Sequence, residues 1–132
     1  MRLIIYIDGG ARGNPGPAAI GVVIGNKTYQ ERIGQTTNNV AEYKAAIFAL
    51  KKAKQLLGKK KEESGVEVRT DSELLYNQLN AKYKIKDADL QPLFIELWNL
   101  QQDFKKVKFV YVPRAKNREA DRLVNRALDT LL

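Results

Sequence analysis

Five apolar residues, 3–7, run without a polar break into Asp8-Gly-Gly10. A continuous run of β-branched and aromatic residues predicts a strand buried on both faces, hence central in a sheet. Alternation puts Ile4, Tyr6 and Asp8 on one face. A carboxylate therefore stands where a central strand ends, among residues that favour a dry setting. A lone buried acid costs several kcal/mol unless it is paired, protonated or bound to a metal. Residues 9–17 read as a glycine-rich loop with Asn14-Pro15 as a turn signal. Its glycines would let a ligand backbone come close to main-chain N–H groups. It lacks the Gly-Lys-Ser/Thr of a phosphate-cradling loop. Residues 18–24 predict a second strand, Gly25-Asn26 a two-residue hairpin turn, and the loosely alternating 27–33 an edge strand with one wet face.

Residues 34–39 end this meander, and Asn38 or Asn39 is expected to cap the helix predicted over 40–57. Its stripe at helical spacing is Glu42, Ala45, Ala46, Ala49, Leu50, Ala53 and Leu57. All but the first are apolar, so Glu42 points toward the sheet from the first turn. Lys51, Lys52 and Lys54 fall on the solvated side. A charged loop over 58–65 leads to a short strand, 66–71, and a short helix, 72–80. Parity groups Asp71 with Glu67 and Arg69, not with Val66 and Val68. The case for Asp71 rests instead on its place at a strand end, where ligands gather in α/β sheets. Across 81–86, Lys82, Lys84 and Lys86 alternate with Tyr83 and Ile85, so one side can pack while the lysines face out. A second long helix is predicted over 87–104, with Leu90, Leu93, Phe94, Leu97, Trp98 and Leu100 as core. A fifth strand, 107–112, a basic loop, 113–118, and a last helix over about 119–131 complete the chain. That helix packs Ala120, Leu123, Val124, Ala127, Leu128 and Leu131, with Asp121 in its first turn.

The order β-β-β-α-β-α-α-β-α, with neighbouring elements adjacent and crossovers right-handed, predicts an α/β fold. The five-stranded mixed sheet has order 3-2-1-4-5, strand 2 antiparallel to the others, and helices on both faces. No repeat or linker interrupts the 132 residues, so one domain over 1–132 is expected. No apolar run nears the roughly 20 residues of a membrane span, and 3–7 is too short for a signal-peptide core. A cytoplasmic protein without a membrane partner is the expectation.

Composition narrows the chemistry. Cys and His are both absent, which excludes disulfides, thiolate or imidazole zinc sites, and a Ser or Cys nucleophile with a His base. Hydrolysis must run on carboxylates, Lys, Tyr or a hard metal ion. The net charge of +8 favours a polyanionic partner. Asp8 and Asp71 end strands that the sheet order makes neighbours, and Glu42 and Asp121 enter from first helical turns. Four such charges raise one another's pKa values, and divalent cations would offset them. All-oxygen ligands favour Mg²⁺ or Mn²⁺. Two such ions can activate a water and stabilise the leaving oxygen of a phosphodiester.

The stretches Asp8-Gly-Gly-Ala-Arg-Gly-Asn-Pro-Gly-Pro17, Thr37-Asn-Asn-Val-Ala-Glu42, Thr70-Asp-Ser72 and Asn117-Arg-Glu-Ala-Asp121 resemble, in order, the four motifs of ribonuclease H type 1. The resemblance covers essentially the whole chain. It implies that Asp8, Glu42, Asp71 and Asp121 are the metal-binding catalytic acids, with two Mg²⁺ or Mn²⁺ ions bound alongside substrate and Asp8 bridging them. It implies endonucleolytic cleavage of the RNA strand of an RNA–DNA hybrid, leaving 5′-phosphate and 3′-hydroxyl ends, by a monomer. For substrate contacts it implies Gly9, Gly10, Ala11, Asn14, Asn38 and Asn39 along the minor groove, where 2′-hydroxyls mark RNA. Thr37 would hold a phosphate of the DNA strand, and Ser72 and Glu73 the RNA strand.

Two departures stand out. Many members carry a histidine in the loop before the last aspartate. This chain has none, as in the archaeal-like branch, and offers Arg114, Lys116, Asn117 and Arg118, which can hold a phosphate but not shuttle protons at neutral pH. The basic protrusion of some members is also missing, with Lys82, Lys84 and Lys86 as a reduced substitute or simply solubilising charge. Two other readings remain: a nuclease of the same fold acting on double-stranded RNA or structured DNA, and a non-catalytic nucleic-acid-binding module.

Overall fold

The computed structural model describes residues 2–130. The chain folds as β1 (Arg2–Ala11), β2 (Gly16–Ile24), β3 (Lys27–Thr36), α1 (Asn38–Leu57), β4 (Gly65–Thr70), α2 (Glu73–Leu79), α3 (Gln91–Gln101), β5 (Lys106–Tyr111) and α4 (Arg118–Asp129). The sheet has five strands in the order β3-β2-β1-β4-β5. β2 pairs antiparallel with β1 and β3, while β4 runs parallel to β1 and β5. Element order, sheet order and strand directions are those the hydrophobic pattern predicts. Leu131, expected in the last helical stripe, lies outside the described residues.

The two faces of β1 have different covers. Ile5 and Ile7 are fully buried and join Val22, Ile24, Val66 and Val68 beneath α1 and α3. Tyr6 lies on the opposite face with Val23, Ala120 and Leu123, against α4. Asp8 pairs with Gly21 and shares the Tyr6 face by alternation. The deeper core is thus the Ile5–Ile7 side, not the Ile4–Tyr6–Asp8 side. Where α4 does not reach, side chains finish the second face. Arg69 donates to Tyr6 Oη at 2.5 Å and to Glu67 Oε2 at 2.6 Å, and its guanidinium lies 5.2 Å from the Tyr6 ring centre.

Several local expectations change. The loop after β1 is short: strand pairing continues to Ala11↔Ala18, so Gly9, Gly10 and Ala11 belong to β1. β3 likewise runs on to Thr36, with a bulge opposite Ala18 and Ala19. Residues 58–63 wind into a 3₁₀ turn instead of a loop. The long helix expected over 87–104 shrinks to α3, since the chain enters it through a turn at Leu90. Trp98, expected in the core, is 54% exposed. Leu97 and Leu100 already form the buried stripe of α3, and a residue one step from Leu97 is turned about 100° off it. Within 81–86 Ile85 packs on the core while Tyr83 is exposed. The lysines of α1 are engaged: Lys51 meets Glu96 at 3.1 Å, Lys54 meets Asp103 at 2.7 Å, and Lys52 lies over the Tyr29 and Phe48 rings.

Two glycines let the helices close on the sheet. A Cβ at Gly9 would fall 2.4 Å from the Ala41 carbonyl of α1, and one at Gly21 would fall 2.4 Å from the Ala120 carbonyl of α4. Both clashes are with backbone, so a methyl there must lift a helix. Gly65 has no neighbour nearer than 3.9 Å. Urea denaturation of Gly21→Ala should therefore show a loss of about 1–3 kcal/mol, the usual cost of overpacking, whereas Gly65→Ala should be neutral. Equal stabilities for the two variants would contradict the close contact of α4.

Candidate active site

β1 and β4 pair with a constant offset, Ile4 opposite Glu67 and Tyr6 opposite Arg69. Carried one step past the last recorded pair of that face, the register sets Asp71 beside Asp8. The parity that argued against a buried face for Asp71 is the parity that aligns it with Asp8. Glu42 reaches the pair from α1, where it is buried with the helix's sheet-facing side. Asp8, Glu42 and Asp71 each bring a carboxylate oxygen within 4.8 Å of the others. Asp121, half-buried in the first turn of α4, lies outside that triplet but bears on Asp8 by charge and contact.

The acids line an open cavity of about 520 Å³ together with Gly9, Gly10, Ala11, Asn38, Asn39 and Ser72. Other predicted contacts lie elsewhere. Asn14 stands behind Asn38, its Oδ1 accepting from the Asn38 backbone N–H at 3.0 Å. Thr37, rather than Asn38 or Asn39, caps α1, its hydroxyl accepting from Val40 N–H at 3.2 Å. Ser72, although on the cavity wall, caps α2 in the same way, accepting from Leu75 N–H. Arg118 lies in an adjoining cavity. The main-chain donors expected to await a ligand are partly committed: Gly9 N–H donates to the Glu42 carboxylate, and Ala11 N–H to Asn38 Oδ1 at 2.8 Å. The room at Gly9 also admits the Ala41 backbone of α1.

Asn117 takes a structural position that its sequence context does not announce. Expected among the phosphate-holding side chains of its loop, it is buried, and its Nδ2 donates to the Ile7 carbonyl at 2.8 Å. It thereby forgoes capping α4 and pins the start of that helix to the peptide unit preceding Asp8. A hydrogen bond from Asn117 also pulls the Asp71 pKa down. Its place immediately before α4 was the available signal, but the pull of a distant carbonyl has no local signature. Arg12, Tyr111 and Asn125 also line the cavity. Arg12 is tied away from the acids by a 2.6 Å ion pair to Asp129.

Burial and crowding set the electrostatics. Asp8 is pushed up to about 7, first by burial and then by the charge of Asp71. Glu42 is raised well above the usual carboxylate range by burial and by Asp8, and Asp71 is raised chiefly by burial. Glu42 Oε2 is buried with no hydrogen-bond partner. An orphaned carboxylate oxygen beside two other acids fits a hard divalent cation, since all donors are oxygens and the Arg114 guanidinium, which lowers Asp71, leaves three acids raised.

The sign of the pH dependence follows. A folded-state pKa raised from 3.8 to about 7 means stability that is full below the lower value and lost as pH climbs through the upper one. In chelator at pH 8, Asp8→Asn should melt several degrees above the parent, a ΔΔG of 1 kcal/mol being worth roughly 3–5 °C at this size. At pH 4.5, near the lower value, most of the gap should close; a destabilised variant at pH 8 would refute the repulsion.

The sequence matches a family described as reverse transcriptase-like over residues 6–127. It is 38% identical to a bifunctional protein of Mycobacterium tuberculosis over 98% of this chain, and 39% identical to ribonuclease HI of Halobacterium salinarum over 97%. The chain spans 36% of the first relative's length and 65% of the second's. Its fold superposes on LC11-RNase H1, isolated from compost and solved with an RNA/DNA hybrid, with a TM-score of 0.90 and 47% identity over 96% of each chain. The Halobacterium salinarum RNase H1 structure gives 0.88 and 39% over 98% of each. With matched sequence, sheet order and acid cluster in agreement, the chain belongs to the type 1 ribonuclease H family.

Proposed function

We propose that this chain is a divalent-metal-dependent endonuclease that hydrolyses the RNA strand of RNA–DNA hybrids, leaving 5′-phosphate and 3′-hydroxyl ends, as one catalytic domain over 1–132. The observation that carries this reading is the convergence of Asp8, Glu42 and Asp71 within 4.8 Å in an open cavity. The likeness to a hybrid-bound ribonuclease H1 supports the choice of substrate. Among the described residues no helix is long and apolar enough to cross a membrane, and a cytoplasmic monomer is the form we propose.

Asp8, Glu42, Asp71 and Asp121 would hold two Mg²⁺ or Mn²⁺ ions. When bound, such ions supply activation of a water and charge stabilisation on the leaving oxygen. The chain's own residues do the rest. Glu42 is held by the Gly9 N–H, which leaves its other oxygen free toward the cluster. Asn117 fixes the peptide unit ahead of Asp8. Asn38 lends its Oδ1 to Ala11 and keeps its NH₂ donors for a ligand oxygen, and a ribose 2′-hydroxyl is such an acceptor. Ser72 and Asn39, on the same cavity wall, extend that polar surface.

A labelled hybrid incubated with Mg²⁺ or Mn²⁺ should yield RNA fragments with 5′-phosphate ends, while duplex DNA and duplex RNA stay intact. Asp71→Asn should slow cleavage on the order of 10²–10³-fold, the scale of losing one preorganised electrostatic group. Undiminished cleavage by that variant would sink the mechanism. Independently of activity, Mn²⁺ should raise the melting temperature at pH 8 and not at pH 5, because binding requires ionised carboxylates. A shift of the same size at both values would place the ion elsewhere.

A further inference from the structure

Beyond Asp121 the surface falls into a second concavity of about 910 Å³, formed by Arg114, Ala115, Arg118, Glu119, Asp121 and Arg122. Arg114 and Asp121 also line the candidate active site, so the two cavities adjoin across these residues. Three arginines line one hollow, and the acids beside them are Glu119 and the cluster member Asp121. Glu119 answers Arg122 weakly, 3.9 Å away with both side chains more than half exposed.

The first turn of α4 carries two acids that suit its positive end, Glu119 and Asp121, yet arginines crowd the same turn. Arg118 is the first residue of α4, Arg122 follows one turn later, and Arg114 and Lys116 precede them. The N-terminal turn of a helix carries positive partial charge and favours acids. Arginines there work against the helix dipole, and with Glu119 3.9 Å from Arg122 and exposed, a further anion would be favourable. Arginine is also the side chain best matched to phosphate, through its planar array of donors. We propose that Arg118 and Arg122, with Arg114 at the mouth, form a subsite for RNA-strand phosphates neighbouring the one that is cut. This rests on the hybrid-cleaving reading above. The RNA strand is favoured because the hollow opens from the acids that would meet the scissile phosphate. Asn38 and Asn39 lie along the first cavity, the one the hollow extends past Asp121.

The test is hybrid binding in chelator, followed by fluorescence anisotropy across a salt series, with cleavage by the parent protein assayed in parallel. Arg118→Gln/Arg122→Gln should weaken binding about tenfold at low salt and flatten the log–log salt slope by roughly one per arginine removed. Glu119→Gln should tighten binding two- to threefold, a gain that general damage to α4 cannot produce. Arg118→Lys/Arg122→Lys, which keeps the charge, should restore most of the slope. Uncharged methylphosphonate linkages in the RNA strand beside the cut should erase the difference between parent and the double Gln variant; the same linkages in the DNA strand should not. A double Gln variant that binds like the parent, with an unchanged slope, overturns the subsite while cleavage by the parent upholds the function. Erasure by the DNA-strand linkages alone also overturns it. A parent that neither cleaves nor binds the hybrid removes both proposals.

Discussion

Carboxylates within 5 Å of one another repel by about 3–4 kcal/mol per pair at an effective dielectric of 20, and the fold has to hold Asp8, Glu42 and Asp71 at that range by other means. It does so through close approach on two sides of one strand pair. α1 sits on Gly9 and brings Glu42 down to the Gly9 N–H; α4 sits on Gly21, the cross-strand partner of Asp8, and brings Asp121 alongside. Adjacent residues of β1 point to opposite faces, so Asp8 and Gly9 give each helix a separate landing. The apolar packing that seats the helices, Ala45, Ala46 and Ala49 beneath α1 and Ala120, Leu123 and Val124 beneath α4, is what opposes the repulsion.

The fold was legible because its signals are local. The run 3–7, the Gly25-Asn26 turn and the alanine stripe of α1 each constrain a few neighbouring residues, and topology rules do the rest. The convergence of Asp8, Glu42 and Asp71 was legible too, partly by position at strand ends and a first turn and partly through their motifs. What escaped shares a cause. Gly9 and Ala11 have donors that pair across the molecule, with Glu42 and Asn38. Asn117 turns from its own helix to the Ile7 carbonyl. Trp98 looks like core by composition but lies one step off the stripe that meets α1. These outcomes depend on which side chain or peptide group arrives in three dimensions.

The placement of Asp71 shows the same lesson in reverse. Read along its own strand, it sits with Glu67 and Arg69, on what looks like a wet face. Read across the sheet, that face is the one Asp8 occupies, and its exposed half is closed by the Tyr6–Arg69–Glu67 network instead of by a helix. Polarity along a strand is therefore weak information about a site formed where several elements end.

The bond from Asn117 to the Ile7 carbonyl joins residues 110 positions apart, and the ion pair of Arg12 with Asp129 closes a comparable span. A ribosome emits the first strand long before the last helix. The sheet, α1 and three of the four acids can be assembled while the fourth is still unmade. Enclosure of the acids therefore waits on α4, and until that helix docks the Tyr6–Asp8 face of the sheet stands open.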